Sequence, residues 1–131
     1  MSPRERQHFD RLLAEVIEAL PPMVTELMDD VPIIVEDFPS AELRRELNLT
    51  HIDELCGLFH GISQADPEHE PGRVHSDQVY LFREGIVSEA VNEAGIVTDE
   101  ELKRQMRVTI LHEYGHHFGL DEDDLRELGY D

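Results

Sequence analysis

The residues best suited to chemistry are two histidines and a glutamate near the C-terminal end of the chain. The run His112-Glu113-Tyr114-Gly115-His116 places two imidazoles four residues apart. Residues four apart lie on one face of a helix, so both rings can reach one metal ion. The glutamate between them can accept a proton from a water that the metal polarises. The pattern predicts a hydrolytic Zn²⁺ site with His112 and His116 as ligands and Glu113 as general base.

A catalytic zinc ion needs a third protein ligand, and the residues after His116 offer several. Gly119 ends the helical pattern and can take the left-handed conformation that turns the chain back. The carboxylates that follow are Asp121, Glu122, Asp123 and Asp124. Asp121 also suits the N-cap of a terminal helix, which would engage its oxygens. The competing interpretation is a surface helix with solvated histidines, followed by acids that complement a helix dipole.

The helix that must carry the motif has clear boundaries in the sequence. Thr98 suits the N-cap position and Glu101 the N3 position of a capping box. Apolar residues follow at helical spacing, namely Leu102, Met106 and Ile110. This spacing indicates a buried face on a helix that runs to about Phe118.

Elsewhere the pattern predicts helices around a small three-stranded sheet, an α+β fold in a single domain of residues 1–131. Helices are predicted at residues 5–20, at a short segment from Pro22, at 40–47 with Ser40 as N-cap, and at 86–94. Strands are predicted at residues 31–35, 55–62 and 77–83. Residues 63–76 contain two prolines and no period, which indicates a loop.

Two details of the predicted sheet bear on function. Pro32 restricts the first strand to a strand start or a sheet edge, because proline donates no ladder hydrogen bond. The third strand, residues 77–83, is either an edge that could receive an extended peptide or an ordinary core strand. The sequence leaves these two interpretations of the third strand open.

Composition limits the classes of partner and compartment. The chain has 30 Asp and Glu against 11 Lys and Arg, a net charge of −19. This charge argues against nucleic acid, which needs clustered cations, and permits a cation or a basic peptide. No apolar run is long enough to span a membrane, and the first residues lack the apolar region of a secretion signal. With the single Cys56, these features predict a cytoplasmic protein, whose oligomeric state the sequence leaves open.

Residues 107–120 resemble the active helix of the small bacterial minimal zincin metallopeptidases. Residues 55–61 and 79–83 resemble that family's strands, so the likeness covers most of the chain. The family is similar in fold to the matrix metalloproteinases. The resemblance implies a zincin-like fold, a zinc cofactor, and peptide or protein substrates. The family's H-E-x-x-H-x-x-G-x-x-D pattern ends on a ligand aspartate at the position of Glu122, which implies Glu122 as third ligand, with Asp121 as the alternative.

Two other functions fit parts of the sequence. The pattern H-G-x-x-H-x-x-G-x-D-H of the bacterial rRNA-maturation endoribonucleases agrees at both histidines, at Gly119 and at Asp121. Glu113 and Glu122 stand where those enzymes have Gly and His, and the mismatches and the acidic charge disfavour RNA. The other alternative is a catalytically silent zincin-like scaffold that binds proteins, because few residues follow the motif to wall a cleft.

Overall fold

The structure, a computed structural model, describes residues 1–61, 77–119 and 122–127, and the side chains of these except for His116, His117 and Glu122. The described residues form an α+β fold of six helices and one three-stranded sheet. The helices are α1 (Pro3–Glu18), α2 (Pro22–Asp30), α3 (Ala41–Glu46), α4 (Arg83–Ala90), α5 (Asp99–His117) and α6 (Glu122–Glu127). The strands are β1 (Ile33–Glu36), β2 (Gly57–His60) and β3 (Gln78–Phe82). The predicted loop at residues 63–76 lies outside the described residues.

Local sequence accounts for most helix starts. The side chain of Ser2 accepts a hydrogen bond from the Glu5 amide at 3.1 Å, and the Glu5 carboxylate accepts one from the Ser2 amide. Pro22 occupies the first turn of α2, where its missing N–H costs nothing. The Ser40 hydroxyl accepts from the Leu43 amide at 3.1 Å, as predicted for an N-cap.

The prediction for α4 was wrong in its bounds. A helix was predicted at residues 86–94, but α4 begins directly after β3 and ends at Ala90. A turn built on Asn92 follows, and its side-chain oxygen accepts from the amides of Ala94 and Ile96 at 2.9 and 3.0 Å. Asparagine competes for backbone amides in this way, so the turn replaces the last helical turn.

The sheet order is β1-β3-β2, with β1 parallel to β3 and β2 antiparallel to it. Pro32 precedes an edge strand, as its chemistry required. The interpretation of the third strand as an edge was wrong, because β3 is paired on both sides. Its residues Val79 and Leu81 are fully buried, so the sheet keeps its most apolar strand in the centre.

Helix α5 forms the centre of the core, where it contacts α1, α4 and β2. Its residues Met106, Ile110 and Tyr114 are fully buried. The Tyr114 hydroxyl donates a hydrogen bond to the Val31 carbonyl just before β1, and burial raises the pKa of Tyr114 well above its usual range. Among the helices that the structure describes, none is long and apolar enough to cross a membrane.

An ion-pair network joins the N-terminal helix to the sheet. The Asp37 carboxylate, after β1, accepts from Arg6 of α1 at 2.6 Å and from Arg83 of α4 at 2.9 Å. Arg83 also pairs with Asp10 of α1 at 2.9 Å. The Arg6 hydrogen bond, with a smaller contribution from Arg83, lowers the pKa of Asp37.

Candidate metal centre

The candidate site is carried by the C-terminal half of α5. The Thr98 hydroxyl accepts from the Glu101 amide at 3.2 Å, so the predicted N-cap forms. The Glu101 carboxylate accepts from Arg104 at 3.1 Å, and this interaction keeps the side chain on the helix surface. Because α5 is capped at its start and buried along one face, it holds the motif as a regular helix through His117.

The predicted ligands and base lie on successive residues of that helix. His112 is exposed and Glu113 is half-buried, while Tyr114 and Gly115 are buried in the protein. The backbone of His116 is one helical turn beyond His112, and the structure describes its backbone alone. The arrangement puts Glu113 between the exposed helix surface and the sheet.

Strand β2 begins against the motif. A Cβ atom added at Gly57 would lie 2.7 Å from Thr109 Cγ2 and 3.3 Å from Glu113 Cγ. Such a separation from Thr109 is shorter than van der Waals contact, so only glycine lets β2 approach α5 this closely. Gly57 therefore positions the start of β2 beside Glu113. Gly57 lies within the strand predicted at residues 55–62, and a glycine inside a strand pattern often marks such an approach.

A second glycine sets the position of the last helix. A Cβ atom at Gly115 would lie 2.6 Å from Cδ2 of Leu125, which is buried in α6. Between α5 and α6, Gly119 has a φ of +75°, the left-handed conformation predicted for it. The Gly115–Leu125 contact and the turn at Gly119 together bring α6 back onto the motif helix.

The third ligand remains a prediction. The backbone of Glu122 begins α6, and the structure describes its backbone alone. Asp121 lies outside the described residues. No three His, Cys, Asp or Glu side chains of the described set are grouped so as to hold a metal. The described set leaves out the side chains of His116 and Glu122, two of the three predicted ligands.

The donor set fits zinc in its chemistry. Two imidazoles one helical turn apart and a carboxylate on the returning chain are ligands of the type Zn²⁺ takes in catalytic sites, where one position stays open. Of the two histidines, His112 has a described side chain, and it is exposed on α5. The turn at Gly119, with φ +75°, sends the chain back as a third ligand would require.

Cys56 and the other histidines are placed differently from the motif. Cys56 precedes β2, and burial, with smaller effects of Glu89 and Glu113, raises the pKa of its thiol to about 11. His60 lies in β2, edge-on to Tyr80 with ring centres 6.3 Å apart. Neither side chain is grouped with two further described donors.

Comparison with known proteins gives one family. The model of a family described as zincin-like metallopeptidases matches residues 28–130, well over half of the chain. The matched range includes all three strands and the whole of α5. A search of curated proteins finds no match.

Proposed function

The chain belongs to the zincin-like metallopeptidase family, and from this premise we propose that it is a zinc-dependent peptidase. His112, His116 and Glu122 would hold the metal, with Asp121 as the alternative third ligand. Glu113 would act as the general base. The observation that carries the proposal is the position of Glu113, half-buried on α5 and directly beside the start of β2.

Bound Zn²⁺ would supply Lewis acidity toward a water molecule and toward the carbonyl of the scissile bond. Glu113 would take a proton from the attacking water and later give it to the leaving amine. The packing of Gly57 against α5 would restrict the Glu113 side chain on one side, since its Cγ is 3.3 Å from the place of a Cβ at residue 57. Restricting the base in this way would favour proton transfer along one direction.

Strand β2 would hold the substrate. Among the described residues it pairs only with β3, and we propose its other edge as the place where a substrate strand is added. An extended peptide added there would lie beside the strand that begins next to Glu113. This edge takes the role that one interpretation of the sequence gave to residues 77–83.

The test is cleavage of a proteome-derived peptide library by zinc-loaded protein, with new N-termini read by mass spectrometry. The parent should generate defined cleavages, and Glu113→Gln should keep its zinc and cleave about 10²–10⁴-fold more slowly. Glu100→Gln, an exposed glutamate at the start of α5, is the matched control and should behave as the parent. His112→Ala should lose zinc.

Two outcomes would overturn the proposal. Cleavage by Glu113→Gln at the parent rate would remove the general-base role. A parent that binds one zinc ion and cleaves no peptide would favour the silent scaffold. The acidic charge of −19 continues to disfavour RNA as substrate.

A further inference from the structure

Gly85, in the first turn of α4, lies directly against the backbone of the segment that precedes β2. A Cβ atom added at Gly85 would lie 2.1 Å from the Leu55 carbonyl oxygen and 3.1 Å from the Cys56 amide nitrogen. Atoms at these separations overlap, so only glycine lets α4 and this segment pack together. A backbone carbonyl cannot rotate away as the end of a side chain can. A side chain at residue 85 must therefore displace either α4 or the segment.

The start of α4 is fixed in place by three interactions. The helix follows β3 without an intervening residue. Arg83, its first residue, pairs with Asp37 and with Asp10, each at 2.9 Å. The Glu84 amide donates a hydrogen bond to the Asp37 carbonyl, also at 2.9 Å. Movement of α4 would break these bonds, so the Leu55 side of the contact is the one that yields.

The segment that yields leads directly into β2. Residues 47–56 contain no helix or strand, so they resist displacement less than α4 does. The Cys56 carbonyl accepts a hydrogen bond from the Phe82 amide of β3 at 2.8 Å. Cys56 cannot absorb a shift of Leu55 without straining that bond. The displacement therefore reaches Gly57, the first residue of β2.

Gly57 has no spare distance to the motif helix. A Cβ atom there would already lie 2.7 Å from Thr109 Cγ2 and 3.3 Å from Glu113 Cγ. Thr109 lies one helical turn before Glu113, and its hydroxyl donates to the Gln105 carbonyl at 2.7 Å. This hydrogen bond holds the threonine rotamer and thus the position of Cγ2. A shift of Gly57 is therefore transmitted to the part of α5 that carries Glu113.

We propose that Gly85 is a positioning residue for Glu113. By leaving room for the Leu55 carbonyl, it sets the distance between the start of β2 and the general base. The inference rests on the proposed function, since it takes Glu113 as that base. Gly85 carries no functional group and acts through Leu55 and Gly57. Catalysis is sensitive to such effects, because a misplacement of about 1 Å can cost about 10²-fold in rate.

The first measurement is independent of activity. Urea denaturation of metal-free protein compares the effect of Gly85→Ala in the parent and in a Thr109→Ser background. Thr109→Ser removes Cγ2, the methyl group against Gly57, and keeps the hydroxyl. Gly85→Ala should lower the urea midpoint of the parent. In the Thr109→Ser background the reduction should be about half as large or less, because the transmitted strain has room to relax.

Gly95→Ala is the matched control for this comparison. Gly95 has φ +77° and no described atom within 4 Å of an added Cβ, so alanine there introduces backbone strain without a contact. Its effect on the urea midpoint should be the same in both backgrounds. If Gly85→Ala is unfolded in buffer, all the proteins are compared in one concentration of trimethylamine N-oxide, which favours the folded state.

The second measurement is steady-state kinetics of zinc-loaded protein on a peptide that the library assay identifies. Gly85→Ala should lower kcat about tenfold and leave KM within about twofold, because the base is displaced while substrate binding is retained. Addition of Thr109→Ser should recover part of the lost kcat. Ser88→Ala, at an exposed position of α4, should leave both constants at the parent values. Zinc content is measured for each protein, so that metal loss is distinguished from displacement of the base.

Each result supports or overturns one part of the inference. Equal losses of urea midpoint in the two backgrounds overturn the transmission from Gly85 to α5. A coupled loss of stability with kcat at the parent value overturns the positioning of Glu113, as does a rise in KM alone. If the parent binds zinc and cleaves no peptide, the peptidase fails. The urea comparison then decides by itself whether Gly85 sets the position of β2 against α5.

Discussion

Gly115 of the motif and Leu125 of α6 are in such close contact that a side chain at residue 115 has no room. Leu125 Cδ2 is 2.6 Å from the position of a Cβ at residue 115, and Leu125 is buried. The helix containing Leu125 begins at Glu122, the predicted third ligand. A glycine within the histidine motif thus determines how closely the segment with the third ligand can approach it.

Gly115→Ala should destabilise the protein by about 1–3 kcal/mol and weaken zinc binding, because Leu125 and α6 must move. The helical gain from alanine, about 1 kcal/mol, is smaller than this cost. In a Leu125→Ala background the clash is gone, so the same Gly115→Ala substitution should become neutral or stabilising. Urea denaturation of the four proteins measures this change of sign. Equal effects in both backgrounds would contradict the contact.

Gly119→Ala tests the turn that follows. Gly119 has φ +75° and no described atom within 4 Å of its added Cβ, so the substitution should cost only backbone strain, about 1–2 kcal/mol. Gly95 is a matched control with φ +77° and equally open surroundings, remote in sequence from the motif. Both variants should lose similar stability by thermal denaturation. Only Gly119→Ala should also lower zinc affinity, and a loss at Gly95 would show that the effect is general.

Local chemistry determined which parts of the fold were predictable. The N-caps at Ser40 and Thr98 and the turn at Gly119 follow from interactions within a few residues, and each is present as predicted. The sequence left open whether β3 is central or at an edge, because strand order depends on pairing between segments far apart in sequence. Composition indicated apolar strands without indicating which lies in the middle.

The candidate site divides in the same way. The four-residue spacing of His112 and His116 placed them on one helix, because helical geometry is local. The close approaches at Gly57 and Gly115 arise where β2 and α6 pack against α5. No periodicity of the sequence encodes those contacts. The two glycines are the residues that position the motif, although they contribute no functional group.

Asp37→Asn should destabilise the protein at neutral pH by about 2 kcal/mol, because Asp37 bonds two arginines. The pKa of Asp37 is lowered below its ordinary 3.8, mainly by the hydrogen bond from Arg6. A carboxylate whose pKa is lower in the folded than in the unfolded protein stabilises the fold at pH values above its unfolded-state pKa. This stabilisation is lost as the pH falls through the folded-state pKa. The difference between parent and variant should therefore be constant from pH 7 to about 5 and shrink below pH 4.

Urea denaturation at each pH measures this dependence. Asp53→Asn, at an exposed position, is the control and should change stability by less than about 0.5 kcal/mol. A difference that grows toward acid pH would show that Asp37 is not stabilised as a carboxylate.

Cys56 should be an unreactive thiol in the metal-free folded protein. Burial, with Glu89 and Glu113 contributing, raises its pKa to about 11, so at pH 8 its thiolate fraction falls roughly 100-fold relative to an unfolded chain. Iodoacetamide alkylation followed by mass spectrometry measures the ratio of rates. Glu113→Gln removes one of the neighbouring charges and should speed alkylation, whereas Glu93→Gln, at an exposed site, should not. Equal rates in folded and unfolded protein would place the thiol at the surface.

Glu122→Ala should lower zinc affinity by more than about 100-fold. Loss of a residue that only orients a ligand has a smaller effect. The reason is that Glu122 begins α6, the helix that Leu125 holds against Gly115. Asp123→Ala is the control one residue along, because Asp123 is exposed and pairs with Arg126 at 3.6 Å. Competition with a chromophoric chelator measures both affinities.

The carboxylate itself can be separated from the position. Glu122→Asp keeps a ligand with a shorter arm and should retain part of the affinity, while Glu122→Gln removes the charge and should lose most of it. If Asp121→Ala proves the damaging substitution and Glu122→Ala does not, the turn after Gly119 delivers the preceding carboxylate to the metal. In that case Asp121 serves as ligand and is not free to cap α6, so Asp121→Asn should lower zinc affinity more than it lowers the stability of the metal-free protein.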